Sequence, residues 1–481
     1  MSDLIETAAS RTAMPTHRGV VMSKSIFASI LAFSALIVVG CSGDALVEET
    51  PANGSADEQD VVSTDVDAFV LPAPSGSYAI GVTDFEYVDQ SREEGFAPGT
   101  KRRLMARVWY PADQPVGAPR PYLSEQEYQF RLESAGTIIS PTPVDSVHSL
   151  KDVMTHSYPD SEISNREASF PLLVFSHGGY GSVGTNTVQM EHLASNGYIV
   201  VSVTHPYLSA PILYPNGDVV RPDEPFLKKF IDATVSDPNY FDWMIEPDFG
   251  KRLEVVTKQL TTHPLVPHFL IWRDDMIAIV DVIERGNFPE HVRPVLAKAD
   301  INRLGYFGMS FGAAAIIAAH SDKRAKAGIS LDGGVWDATM INAEIRSPVM
   351  IMHHDGALST AAYQLPHPVR PHSDFLLERF ETFGSRPDVV RIEVAGATHS
   401  DFTDFSMQPS RIRTKTSALG LSGTINGTEI QVIMNDFVKG FFDRYVLGDE
   451  DAFPADLYER YEAAEKLNRT EIADWADSKN Q

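Results

Sequence analysis

The chain has 481 residues, 43% of them hydrophobic and 22% charged, with 31 prolines and 32 glycines, which describes a globular chain with a sizeable core and excludes a fibrous or disordered one. A formal net charge of −25 excludes nucleic acid as a partner, because phosphate-backbone binding draws most of its affinity from basic surface. One large α/β domain with insertions accommodates the length.

The first 40 residues read as a secretory signal. The apolar run "SIFASILAFSALIVVG", from Ser25 to Gly40, follows Lys24 and closes on small residues; it is too short to favour a membrane span. Asp3 and Glu6 are unusual in a signal, which makes Met22 an alternative start. "VVGC" resembles the lipobox of bacterial lipoproteins. That resemblance implies lipidation at Cys41, an anchor in a membrane and, from Ser42 after it, sorting to the outer membrane or cell surface. Cys41 is the only cysteine, so no intramolecular disulfide is expected. Residues 41–72 are rich in Asp and Glu and lack Lys and Arg up to Val70, the composition of a solvated tether.

Short apolar runs then alternate with helical patterns. "RLMARVWYP" from Arg103 alternates like a half-buried strand. "FPLLVFSHGG" from Phe170, "YIVVSVTHP" from Tyr198, "RLGYFGMS" from Arg303, "KAGISLDGG" from Lys326, "SPVMIMHHDG" from Ser347 and "VVRIEVAGATH" from Val389 are nearly continuous, as strands covered on both faces are. "GTNTVQMEHLASNG" and "LIWRDDMIAIVDVIERG" supply crossover helices. The expectation is a doubly wound α/β sheet, mostly parallel, opening with antiparallel strands over residues 73–450. Near its end Ile430, Ile433, Met434, Phe437, Phe441 and Tyr445 form one helical stripe, opened by a Thr428/Gln431 capping box. Residues 451–481 read as an acidic extension.

Within this frame Gly308-x-Ser310-x-Gly312 follows an apolar strand and precedes an alanine-rich helix, the context of a nucleophile elbow. At 308 and 312 a side chain would collide with a neighbouring strand or helix. A helix N-terminus behind the serine favours developing negative charge. The base must follow in chain order. His399 sits in the loop after the last strand-like run, where it can reach over the elbow. His320 lies on the helix after the elbow, His367 and His372 flank prolines in a surface loop, and His353 and His354 end a strand as packed or supporting groups. Asp332 and Asp355 both stand at carboxyl ends of strands, and the residues alone leave the acid open between them. "SHGGYG" after the strand at Leu172 to Phe175 supplies the loop for an oxyanion hole, with the amides of Gly179 and Phe311 as donors.

Taken in order, "FPLLVFSHGGYGS", "HLASNGYIVVSVTHP", "WRDDMIAIVD", "GMSFGAAA", "ISLDGG" and "ATHSDFTDFS" resemble the platelet-activating factor acetylhydrolase family of α/β-hydrolases, over about Gly76 to Gly448. "LDGG" and "HSDFTDF" are more specific than the elbow. The resemblance implies an α/β-hydrolase fold and selects Asp332 as the acid, with His399 the histidine of the "H-x-x-F-x-D-F" stretch. It also implies hydrolysis of short or oxidised acyl esters, phospholipids included, by a serine esterase without calcium, other metal or cofactor. Residues 205–268 depart from the family as a long, cap-like insertion. A polyester hydrolase, a peptidase of the same fold and a non-catalytic surface lipoprotein binding lipid or polymer are the alternatives.

Overall fold

Continuous apolar strands buried on both faces build this molecule. The computed structural model describes residues 68–466 apart from 138–139, 141, 238–241, 247, 344, 363–385, 387 and 454–455. The signal, Cys41, most of the tether, His367 and His372 lie outside the described residues.

Strand β1 (Ala79–Glu93) pairs antiparallel with β2 (Lys101–Ala112), Ala79 opposite Ala112. Then come helices α1 (Glu125–Ser134) and α2 (Val144–His148), strands β3 (Ser157–Tyr158) and β4 (Phe170–Ser176), helix α3 (Thr187–Ser195) and strand β5 (Ile199–Val203). A two-stranded ribbon, β6 (Ile212–Leu213) and β7 (Val219–Val220), leads to helices α4 (Glu224–Ser236), α5 (Phe249–Thr262) and α6 (Val266–Arg285). The remaining elements are β8 (Ala299–Met309), α7 (Ala314–Ser321), β9 (Ala325–Leu331), β10 (Val349–His354), β11 (Val389–Val394), α8 (Gly427–Phe442) and β12 (Ala464–Lys466). One sheet takes ten strands in the order β12-β11-β10-β9-β8-β4-β5-β2-β1-β3. From β5 to β11 every neighbouring pair is parallel, and β2 joins β5 antiparallel. This is the doubly wound sheet expected.

Every residue of β4 and β5 is buried. Leu173 and Phe175 pack on one face with Met190 and Leu193 of α3 and with Ile430, Ile433, Met434, Phe437 and Phe441 of α8. Leu172 and Val174 face the opposite side with Met276, Ile279 and Ile283 of α6 and Ala315 and Ala318 of α7. The period of two thus assigns each strand residue to one of two cores. The helix α8 stripe is where the sequence places it, but its cap is not. Asn426 is the N-cap, accepting the N–H groups of Thr428 and Glu429, and Gln431 is buried, donating to Thr403 O and Ser406 Oγ. Asn caps as well as Thr does, and two buried acceptors claim the glutamine amide.

Helices α4 and α5 of the 205–268 segment pack Phe226, Leu227, Phe230, Val256 and Leu260 into a cluster with Phe269, Trp272, Phe311 and Ile316. A separate cluster joins Phe69 and Leu71 to Tyr122, Leu123, Val147 and Leu150, so the folded unit begins inside the stretch read as tether. Beyond residue 450, Leu457 and Ala464 join the main core and β12 pairs antiparallel with β11. Among the described residues no helix is long and apolar enough to cross a membrane.

Candidate active site

At the carboxyl end of β8 the chain turns into a 3-10 turn at Ser310 with φ +56°, a left-handed conformation that costs a non-glycine residue of order 1–3 kcal/mol. Its neighbours explain how the turn closes. A Cβ on Gly308 would stand 2.0 Å from Gly312 O, and one on Gly312 would stand 2.1 Å from Ser176 O. Both glycines are needed for backbone to pass backbone at the crowded strand ends.

His399 opens a 3-10 turn after β11, and its Nε2 lies 2.9 Å from Ser310 Oγ. Its Nδ1 lies 2.5 Å from Asp332 Oδ2. Asp332 follows β9 with φ +52° and donates its own N–H to Met352 O at 2.7 Å. A Cβ on Gly333 would come within 2.1 Å of Ser310 O, so "LDGG" brings acid and elbow together. Burial alone would raise the Asp332 carboxyl. The charge of His354 and hydrogen bonds from His353, His354 and His399 outweigh it and hold the group well below its ordinary value of 3.8. The carboxylate is therefore ionised, His399 donates Nδ1–H to it, and Nε2 is free to accept the serine proton.

The second candidate acid is engaged elsewhere. Asp355 accepts the N–H groups of Ala357 at 2.8 Å, Leu358 at 3.1 Å and Gly396 at 2.9 Å. The carboxylates of "HSDFTDF" hold the histidine loop. Asp401 accepts from Thr398 N–H and Oγ1, Gly423 N–H and Arg413. Asp404 accepts from Thr187 N–H, Val188 N–H and the Tyr122 hydroxyl. Burial pushes Asp404 up to about 8 against those three donors.

The glycine loop after β4 lies over the serine. Gly178 is close enough that a Cβ on it would sit 3.0 Å from Ser310 Cβ. Gly179 lines the same cavity as Ser310 and His399. Phe311 directly follows the nucleophile position in its 3-10 turn, and its ring packs edge-on against Phe269 and Trp272. His320 is partly buried on α7 and is absent from the lining of this cavity.

Beneath that loop runs a buried chain that the sequence does not announce. Ser176 Oγ lies 2.8 Å from His205 Nε2, and His205 Nδ1 lies 2.9 Å from Asp275 Oδ2. Asp275 also accepts from Arg102 Nε and Nη2 and from Arg92 Nη1. Ser209 Oγ lies 3.0 Å from His177 Nε2, while His177 Nδ1 lies 2.7 Å from Gly178 O. Only a ring with its proton on Nδ1 satisfies that carbonyl, which leaves Nε2 as an acceptor beside His205 O, 2.7 Å from Ser209 Oγ, for the one Ser209 hydroxyl proton. Desolvation pushes His177 down to about 3 and His205 down to about 4, so both rings are neutral. The one local signal for this chain is that Ser176 and His205 each end a strand-like run.

The cavity is about 230 Å³. Phe69, Tyr122, Leu123, Phe130, Val147, Leu150, Phe405 and Leu421 supply apolar wall, with Glu127 and Arg131 among them. Helices α1 and α2 and the residues just before them thus supply much of its lining. The 205–268 segment contributes Ala210 and Pro211.

The family model described as platelet-activating factor acetylhydrolase, isoform II, matches residues 64–242, a stretch that ends before Ser310. A probable 1-alkyl-2-acetylglycerophosphocholine esterase of Arthroderma benhamiae is 23% identical over 57% of this chain, and the match spans 62% of that relative's length. The platelet-activating factor acetylhydrolase of Canis lupus familiaris is 22% identical over 71% of this chain and 70% of its own; that of Bos taurus is 22% identical over 76% and 75%. In structure the chain is similar to a ferulic acid esterase from Streptomyces cinnamoneus, with a TM-score of 0.57, 21% identity, 83% of this chain and 100% of that one covered. The sheet order, the elbow and these matches together give the chain an α/β-hydrolase fold and a similarity to the platelet-activating factor acetylhydrolase family.

Proposed function

We propose that this protein is a serine carboxylic-ester hydrolase acting on short or oxidised acyl esters, phospholipid esters among them, through an acyl-enzyme. The observation that carries the reading is the continuous chain Ser310 Oγ, His399, Asp332 opening on a mostly apolar cavity. In this reading His399 Nε2 removes the Ser310 proton as Oγ attacks the ester carbonyl. Backbone N–H groups of Gly179 and Phe311 hold the developing oxyanion. Asp332 keeps His399 in the productive tautomer and offsets the imidazolium charge. The imidazolium then gives its proton to the leaving alkoxide, and water, activated by the same ring, releases the acid.

The lipobox-like "VVGC" supports an acylated Cys41 that anchors the domain at a membrane, with lipid substrates then within its reach through the acidic tether. The test is a panel of acetyl to long-chain esters, oxidised phospholipids and amides, run with Ser310→Ala and with labelling by a serine-reactive fluorophosphonate. Turnover of short esters, lost in the variant and blocked by the label, is expected. Labelling without ester turnover would overturn the substrate class, and faster amide turnover would favour a peptidase.

A further inference from the structure

The carboxylate of Asp332 carries two imidazoles. His399 Nδ1 lies 2.5 Å from Oδ2. His354 Nδ1 lies 2.8 Å from Oδ1 and 2.9 Å from Oδ2, and the His354 backbone N–H donates to Oδ1 at 3.0 Å. His353 Nδ1 stands 3.7 Å from Oδ1. The topology brings these groups together, because β10 and β9 are parallel neighbours with Met352 opposite Leu331. The end of one strand therefore meets the residue just after the other. A carboxylate held from one side by a side-chain and a main-chain donor cannot rotate about its own axis without losing a hydrogen bond.

We propose that His354 is a positioning residue of the triad: its Nδ1–H fixes the Asp332 carboxylate so that Oδ2 meets His399, and a proton taken up by His354 weakens His399 as a base. The proposal rests on the catalytic reading above and adds a second imidazole to it. Its chemistry is one of charge. As Ser310 attacks, His399 becomes an imidazolium that Asp332 stabilises. A positive His354, with a ring nitrogen within 4.8 Å of one on His399, neutralises the same carboxylate and repels the charge that forms. The groups facing His354 set when this happens. Burial disfavours its charge, but Asp332 after β9, Glu393 on β11 and Asp355 after β10 outweigh burial and raise His354 above its ordinary 6.5. His353 lies beside it on the same strand, its Nδ1 3.7 Å from Oδ1. The ionisation of His354 thus enters the acid limb of the rate.

The experiment compares the full chain with His354→Asn and His354→Ala. Both kcat and KM on a short p-nitrophenyl ester, and the rate of Ser310 labelling by a fluorophosphonate, are followed from about pH 5 to about pH 9. Asparagine keeps an N–H near the Nδ1 position without a titrating charge. Its acid limb in kcat and in labelling is expected to move down by about one pH unit, with KM unchanged. Alanine frees the carboxylate and is expected to lower kcat and labelling about tenfold or more at every pH, because catalytic groups displaced by fractions of an ångström lose rate steeply. Profiles of both variants that superpose on the parent would overturn the proposal, as would an alanine effect confined to KM. If the alanine variant does not fold, an unmoved acid limb in His354→Asn overturns it alone. A parent whose Ser310 is labelled but which turns over no ester fails the substrate assignment and leaves the labelling profile to decide about His354. A parent that is not labelled sinks both.

Discussion

Gly396 donates its backbone N–H to Asp355 Oδ2 at 2.9 Å, and this contact separates the two aspartates that follow neighbouring strands. Asp355 also caps the turn at Ala357 and Leu358, so its carboxylate is committed to holding the start of the His399 loop. Asp332 carries the imidazole itself. Asp332→Asn is expected to leave a folded protein with His399 in the wrong tautomer and a loss in kcat of about four orders of magnitude. Asp355→Asn retains one acceptor oxygen and is expected to cost about 1 kcal/mol in urea unfolding, with kcat within a few-fold of the parent. An inactive Asp355→Asn beside a near-normal Asp332→Asn would reverse the assignment.

The close approach of Gly333 to the elbow makes a second prediction, this time about backbone. Gly333→Ala places a methyl 2.1 Å from Ser310 O and 2.5 Å from Ala313 Cβ, distances that real Cβ atoms do not adopt, so the Ser310 turn must shift. Such a displacement is expected to cost about a hundredfold or more in kcat. The secondary structure, followed by circular dichroism, should remain. An alanine variant with unchanged kcat and unchanged fluorophosphonate labelling would mean that the turn tolerates the methyl and that the glycine does not hold the serine.

How legible these relationships are depends on how local they are. The elbow could be read because strand, serine and helix are contiguous and because crowding at Gly308 and Gly312 follows from that local turn. The strands β4 and β5 could be read because burial on both faces makes each run almost wholly apolar, Ser176 and Ser202 being their only hydroxyl side chains. The Thr428/Gln431 capping box was an equally local signal and misled, since Asn426 was the better-placed cap and the Gln431 amide found buried acceptors in the His399 loop. The chain Ser176, His205, Asp275, Arg102 could not be read beyond the placing of Ser176 and His205 at the ends of strand-like runs. Its members are far apart in sequence, and only the sheet order brings β4, β5, α6 and β2 side by side. Between Asp332 and Asp355 the pattern was silent for the same reason: both follow strands, and only the loop after β11 decides which of them meets His399.

That buried chain has a measurable pH signature. His177 and His205 are pushed down to about 3 and about 4 from an ordinary value of 6.5. The unfolded chain therefore binds protons below pH 6.5 that the folded chain refuses. Stability from these neutral rings is present above 6.5 and is lost as pH falls toward the folded values. The sign is the same for both, and each contributes a slope of up to about 1.4 kcal/mol per pH unit in that window. Urea unfolding at pH 7, 6 and 5 is expected to show a falling midpoint, with most of the loss between the last two. His192, His263 and His268, each lowered to about 4, act in the same sense and Asp404, raised to about 8, in the opposite one. The two rings are therefore read from the flattening of this slope in His177→Gln and His205→Gln, and a slope that neither substitution changes would show that these rings do not refuse the proton.

Export and anchoring are tested apart from the chemistry. If Cys41 carries the acyl chains, Cys41→Ala should move the protein from the membrane fraction to the soluble one in cells that process bacterial lipoproteins, while kcat of the isolated domain is unchanged. Two or more chains anchor a protein stably, whereas one chain is marginal. The wild-type protein should therefore resist extraction by high salt. Unchanged fractionation of the variant would refute lipidation at this site.

The cavity makes the most demanding prediction, because it tests which end of the ester the apolar wall receives. Phe130, Val147 and Leu150 approach the same space of about 230 Å³ as Ser310 and His399, and in the proposed reading this space holds the acyl chain. Burial of each methylene is worth about 0.8 kcal/mol, or about fourfold in kcat/KM, so kcat/KM should rise with acyl length until the cavity is full and then fall. Val147→Phe narrows the space from the α2 side without touching the triad. It is expected to move the optimum to a shorter acyl chain, with the acetyl ester nearly unaffected and each excluded methylene costing about fourfold. If acyl length leaves the variant's ratio to the parent constant while changes in the alcohol group alter it, the cavity receives the leaving group and the acyl chain lies outside it.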